Sequence, residues 1–236
     1  MPQTILITRP EPQASELEKQ LRNLGFETFK EPMLTIQKID YNNQGLDSAD
    51  GYIFTSRTAF DFLEELPLDY DLPVFVVGEK TALAAQKSGF KHIQAIAGNV
   101  ENLAEELKNV QGNFVYFRGE YVSHDLNTLL IGHRALAIQN YIVYTTHQVQ
   151  QFSDKLLKKL DNQEILSILF YSKRTADAFV KALQNHKKEQ TLSTITALCL
   201  ADSVLECLSV LPWRTLKIAL NPNQQSLIEM LNTIKG

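Results

Sequence analysis

Short apolar runs alternate with amphipathic stretches along the whole chain, and this alternation limits the fold more than any other feature. TILIT (4–8) reads as a strand and PEPQASELEKQLRNLG (10–25) as a helix with Leu17, Leu21 and Leu24 on one face and Gly25 at its end. FETFK follows as a second strand. Strands are then expected at 52–55, 74–77, 93–95, 113–117 and 134–139, with helices at 57–66, 79–88, 100–109 and 122–131 between and after them. The remainder reads as helix 153–160, strand 166–170, helix 174–185, strand 194–199, helix 202–210, strand 215–219 and helix 223–234, with NHKKEQT (185–191) as a charged surface loop. Alternating segments of these lengths predict an α/β fold of parallel sheets covered by helices on both faces.

The same pattern hides a duplication. ITRPEPQASELEKQL aligns without a gap on YFRGEYVSHDLNTLL, so that Arg9 meets Arg118, Glu11 meets Glu120, Leu17 meets Leu126 and Leu21 meets Leu130. IFTSRTAF matches LFYSKRTA, FVVGEKTALAAQ lies over LCLADSVLECLS, and GNVENLAEEL lies over PNQQSLIEML. Two β-rich crossings, near 32–40 (PMLTIQKID) and 140–148 (NYIVYTTHQ), stand at corresponding points. Side by side, they would form a hinge of two strands joining two lobes.

Composition excludes several classes. At 236 residues the length suits one large domain or two of half that size, and 44% hydrophobic content is enough for a real core. A formal net charge of −4 argues against a nucleic-acid binder. Cys199 and Cys207 lack CxxC spacing and read as reduced structural thiols, and the five histidines form no HxxxH or HExxH pair, so no metal is expected. MPQTILITRP enters a short strand without a long apolar signal core, and no apolar run is long enough to span a membrane. A cytoplasmic monomer is expected.

In open α/β sheets ligands bind beyond the carboxyl ends of the strands, where helix N-termini favour anions. This chain repeatedly sets small or polar residues there: Thr55-Ser56, Gly78, Gly98-Asn99, Gly119, Ser172 and Asn221. Cations join them at Arg9, Arg57, Lys80, Arg118, Lys173 and Arg174. Taken singly, each Ser or Thr is also what an ordinary N-cap looks like, and each Arg or Lys could be solvated. Together they suit a polycarboxylate. There is no nucleophile elbow, P-loop or GxGxxG; Gly78-Glu79-Lys80-Thr81 only faintly resembles the end of a P-loop.

ITRPEPQASEL, IFTSRTAF, VVGEKTALAAQKSGF, FRGE and VYTT, in this order over nearly the whole chain, resemble uroporphyrinogen-III synthases. The resemblance implies two flavodoxin-like lobes joined by a two-stranded β hinge. One would comprise residues 1–35 and 148–236 and the other residues 36–147, with the active site in the cleft between them. It implies a lyase of heme (tetrapyrrole) biosynthesis that uses no cofactor: linear hydroxymethylbilane loses water and closes to uroporphyrinogen III with its last pyrrole ring inverted. Transient contact with hydroxymethylbilane synthase, the source of the substrate, would fit this role. Eight substrate carboxylates would meet Arg9, Thr55, Ser56, Arg57, Gly78, Lys80, Thr81, Arg118, Gly119, Ser172, Lys173 and Ser203. Tyr144, in IVYTT, corresponds to the family's crossing-strand tyrosine, expected to assist loss of the hydroxyl; packing of a hinge aromatic is the other reading.

The chain departs from the family pattern at Ala201-Asp202-Ser203-Val204, where G-x-T-T/A is usual, and at Lys173-Arg174, where small residues are usual. Asp202 would repel a carboxylate but cap its helix well. These departures leave a non-catalytic two-lobe binder of an anionic metabolite as the alternative.

Overall fold

The computed structural model describes residues 4–40, 45–122, 124–133 and 135–234. The chain forms β1 (Thr4–Ile7), α1 (Gln13–Asn23), β2 (Glu27–Lys30), β3 (Leu34–Lys38), β4 (Gly51–Phe54), β5 (Pro73–Val77), α2 (Glu79–Lys87), β6 (His92–Ala97) and α3 (Val100–Leu107). It continues through β7 (Gly112–Gly119), α4 (Leu126–Leu129), β8 (Leu136–Gln148), α5 (Asp154–Asp161), β9 (Ile165–Phe170) and α6 (Lys173–His186). It ends with β10 (Thr196–Cys199), α7 (Asp202–Leu208), β11 (Thr215–Ile218) and α8 (Gln224–Asn232). Short 3₁₀ helices occupy Leu46–Ser48, Arg57–Phe62 and Glu189–Thr194.

Four expectations are corrected. The segment 57–66 is a 3₁₀ helix over Arg57–Phe62, not an α-helix, and the helix expected at 122–131 is one turn at Leu126–Leu129. The strand at 134–139 and the crossing at 140–148 are one strand of 13 residues. Ser123 and Arg134, within the expected segments, lie outside the described residues. The 185–191 stretch is the end of α6 and the start of a 3₁₀ helix.

The chain divides into two compact units, Met1–Ile36 with His147–Gly236, and Gln37–Thr146. In the first unit the sheet order is β11-β10-β9-β1-β2, with all pairs parallel. In the second it is β6-β5-β4-β7-β8, again parallel, with β3 beside β8. Ile39 N donates to Val143 O at 3.1 Å and Val149 N to Met33 O at 2.9 Å.

The two sheets share one plan through a circular permutation. Strands β4, β5 and β6 stand where β9, β10 and β11 stand in the first unit, and β7 and β8 where β1 and β2 stand. Read in chain order, the first unit is 2-1-3-4-5, the flavodoxin-like order, and the second is 3-2-1-4-5. Registers agree with the sequence matches: Ile53 faces Tyr116 and Phe75, while Leu169 faces Ile7 and Leu198. Strand order reverses between β1 and β9 in one unit and between β4 and β7 in the other, and such switch points are where open α/β sheets bind ligands.

Each central strand is apolar on both faces because helices cover both. In the second unit Tyr52, Phe54, Val115 and Phe117 pack with Ala59, Ala82 and Ala85, while the alternate residues Ile53, Phe75, Phe114 and Tyr116 pack with Leu103, Leu107 and Leu126. In the first, Ile168, Phe170 and Ala197 meet Leu156, Phe179 and Val204, and Ile5, Ile7 and Leu169 meet Leu17, Leu21, Leu227 and Leu231. Among the described residues no helix is long and apolar enough to cross a membrane.

Candidate functional site

At the second unit's switch point, β4 runs out into Thr55 and Ser56, and β7 ends at Arg118 and Gly119. The Tyr116 ring is fully buried, and its hydroxyl lies 2.6 Å from Thr55 Oγ1. Ser56 is in extended conformation and caps the 3₁₀ helix, accepting from Thr58 N at 3.3 Å. Its hydroxyl also hydrogen-bonds the phenol of Tyr144. Two consecutive hydroxyls at the end of one strand therefore each meet a tyrosine from a neighbouring strand.

Tyr144 is in register with Gly119, and Glu120 N donates to Tyr144 O at 2.9 Å. A Cβ at 119 would lie 2.6 Å from the phenol ring, so only glycine fits this close approach. The ring also stacks on Phe62, with centroids 5.7 Å apart and planes inclined by 27°. Burial pushes the Tyr144 phenol above its ordinary value of 10.0, against the Ser56 hydrogen bond and the positive charge of Arg118, while Asp61 adds to the rise. At neutral pH the group is a phenol, fit to donate a proton. Arg118 is held by its own strand end, donating from Nε to Gly119 O and from Nη2 to Glu120 O, each at 3.0 Å. Asp61 is likewise pushed up by burial and drawn back by Arg57.

Gly78 precedes α2 with φ of +81°, and a Cβ there would meet open space. Its carbonyl accepts from Thr81 N and Ala82 N at 3.0 and 3.1 Å. Lys80 is exposed and Thr81 buried, and α2 packs beside the 3₁₀ helix that begins at Arg57.

In the first unit Arg9 follows β1, donates to Gln224 Oε1 at 3.0 Å and places its guanidinium 4.2 Å from the centre of the Tyr171 ring. Among the described residues the buried Tyr171 hydroxyl has no hydrogen-bond partner. Burial lifts it to about 12 against the opposing effect of Arg9, which stands over the ring face. Ser172 caps α6, accepting from Thr175 N at 3.2 Å, and Lys173 is the first, exposed residue of that helix. Ser203 is exposed in the first turn of α7. Asp202 is not the cap: Ala201 holds that position without a side-chain bond, and Asp202 is the first helical residue. Glu79 holds the same place in α2, so an acid there is common to both units.

Thus Thr55, Ser56, Arg118, Gly119 and Tyr144 converge at one switch point, and Arg9 and Ser172 flank the other. Tyr116, Asp61, Phe62, Tyr171 and Gln224 join these groups without having been expected. The only local signal for Tyr116 was a tyrosine just before the strand-end Arg-Gly. Among the described residues no cluster of three or more His, Cys, Asp or Glu could hold a metal ion.

Residues 15–229 match the family model described as uroporphyrinogen-III synthase HemD. The porphyrin biosynthesis protein HemD of Ruminiclostridium josui is 24% identical over 225 residues, 86% of this chain. The chain spans 43% of that relative's length. The solved uroporphyrinogen-III synthetase of Helicobacter pylori superposes with a TM-score of 0.67 at 18% identity, covering 98% of this chain and 99% of its own. A mutant uroporphyrinogen III synthase of the extremely thermophilic bacterium Thermus thermophilus gives 0.61 at 15% identity, covering 99% and 98%. These two likenesses show a shared two-lobe α/β fold, and the family match covers most of the sequence: the chain belongs to the uroporphyrinogen-III synthase family.

Proposed function

We propose that this chain converts hydroxymethylbilane to uroporphyrinogen III and water, as a lyase of heme biosynthesis acting without a cofactor. The observation that carries the reading is Tyr144: a protonated phenol, packed against Gly119 and Phe62 and bonded to Ser56, beside the cation Arg118. That phenol donates a hydrogen bond to the substrate's terminal hydroxyl as it leaves as water. The resulting azafulvene cation is attacked by the already substituted carbon of the last ring; the spiro intermediate then fragments and recloses with that ring inverted. Arg9, Arg57, Lys80, Arg118 and Lys173, with the hydroxyls of Thr55, Ser56, Ser172 and Ser203 and the starts of α2 (Gly78, Thr81) and α6, hold the carboxylates. Unassisted closure gives isomer I, so the protein's contribution is chiefly orientation. The reading puts the enzyme in the cytoplasm as a monomer, in transient contact with the synthase that makes its substrate.

The alternative, a binder without turnover, drew on Asp202, which the equivalent Glu79 makes unexceptional. The two differ in stoichiometry. With substrate in hundredfold excess over protein, a synthase turns it mainly into isomer III at a rate proportional to protein concentration. A binder alters at most about one substrate per chain.

A further inference from the structure

Tyr116 is a residue of the sheet interior whose hydroxyl reaches the working edge. Its ring is fully buried against Ile53, Leu103 and Leu126, and Thr55 Oγ1, 2.6 Å away, is the hydroxyl it meets. The geometry admits either oxygen as donor, and a phenol, being more acidic than an aliphatic alcohol, is the stronger donor of the two. A threonine hydroxyl has one proton. Once its oxygen accepts from Tyr116, that proton is free to point away from the sheet, and Thr55 is half-buried at the open end of β4. Carboxylates need donors and offer none, so this polarity suits an anionic ligand.

The first unit shows what happens without this arrangement. By the shared register, Ile7 stands in the place of Tyr116 and Tyr171 in that of Thr55. The isoleucine offers no hydroxyl, and among the described residues the phenol of Tyr171 has no hydrogen-bond partner, with Arg9 standing over its ring. Both switch points carry the matched cation, Arg9 in one and Arg118 in the other, and the second adds the Thr55 hydroxyl paired with Tyr116.

We infer that Tyr116 is a positioning residue, which donates its phenol proton to Thr55 and thereby presets the Thr55 hydroxyl as a donor to a substrate carboxylate. The inference rests on the function proposed above. It predicts an effect on binding that passes through Thr55 and leaves the chemical step nearly untouched.

The test uses Tyr116→Phe, Thr55→Val, Thr55→Ser and the double variant Tyr116→Phe/Thr55→Val. Steady-state isomer III formation gives KM and kcat, and fluorescence titration with uroporphyrin III, a stable octacarboxylate, gives Kd without any turnover. Tyr116→Phe raises KM and Kd about three- to tenfold, the scale of one neutral hydrogen bond, with kcat within about twofold. Thr55→Val raises them at least as much, Thr55→Ser restores them, and Tyr116→Phe adds nothing in the Thr55→Val background. Unchanged KM and Kd in Tyr116→Phe, or effects that multiply in the double variant, overturn the inference. Wild-type Kd in Thr55→Val overturns it even if Tyr116→Phe does not fold. Production of isomer I alone by the wild-type protein rejects the proposed function, while the titration still decides the role of Tyr116.

Discussion

Gly119 and Tyr144 face each other across two parallel strands so closely that a Cβ on residue 119 would lie 2.6 Å from two ring carbons of the tyrosine and 2.9 Å from its hydroxyl. Phe62 stacks on the same ring, with centroids 5.7 Å apart. Gly119→Ala is therefore expected to displace the phenol. It should cost about 1–3 kcal/mol of stability in urea unfolding and most of the isomer III activity. Adding Tyr144→Leu should recover much of the stability but none of the activity, a non-additivity expected only if the two residues clash.

Tyr144→Phe keeps the ring, its fit against Gly119 and its stack on Phe62, and removes one hydroxyl. The variant should lose no more than about 0.5–1.5 kcal/mol in urea unfolding, the scale of its bond to Ser56, while isomer III formation falls by about tenfold to a thousandfold. Because burial raises this phenol above 10.0, its deprotonation removes no activity below about pH 10. An alkaline limb near pH 8 that disappears in Tyr144→Phe would assign the group a different protonation state.

The buried hydroxyl of Tyr171 gives an opposite expectation. Tyr171→Phe deletes a buried O–H that has no partner among the described residues, and Arg9 keeps its place over the aromatic face. Stability should be unchanged or higher by up to about 1 kcal/mol, whereas Tyr116→Phe, which loses the bond to Thr55, should cost about 0.5–1.5 kcal/mol. Urea midpoints measured side by side check the contrast; equal losses would contradict it.

Cys199 and Cys207 should be inert in the folded protein. Burial lifts Cys199 to about 12, with the neighbouring Cys207 adding to the rise. Cys207 reaches about 12 through burial and its hydrogen bond to Asp177, at 2.8 Å, with Lys173 opposing. At pH 8 only about one thiol in ten thousand is ionised, so a colorimetric disulfide reagent should modify neither until urea is added, then both. The folded state also holds these protons longer than the unfolded chain, whose thiols ionise near 9.0. Stability is thus untouched below about pH 9 and falls as pH rises from there towards 12.

Much of the fold was legible because strands covered on both faces must be apolar throughout, as YIF in β4 and ILSILF in β9 nearly are. The permuted duplication was legible in Leu17 and Leu126, matched by sequence and both fully buried, although α4 is only one turn. Local pattern could not reveal the rest. Ala59, Phe60 and Leu63 have spacing that a 3₁₀ helix and an α-helix both satisfy at this length. Asn140 interrupts β8 with a polar residue, yet its backbone continues the pairing with Tyr116. Tyr116 looks like one more core aromatic in FVYFRG, and its partner lies 61 positions away, so only the β4–β7 register shows what its hydroxyl does. Only the matched order of the two sheets shows that Asp202 holds in α7 the place that Glu79 holds in α2.

The proposed reaction is tested at its root by the isomer composition formed from freshly prepared hydroxymethylbilane, with the products oxidised to porphyrins and separated by chromatography. Mainly isomer III is expected with protein present, and isomer I in the blank. Isomer I alone in both would contradict the proposed function.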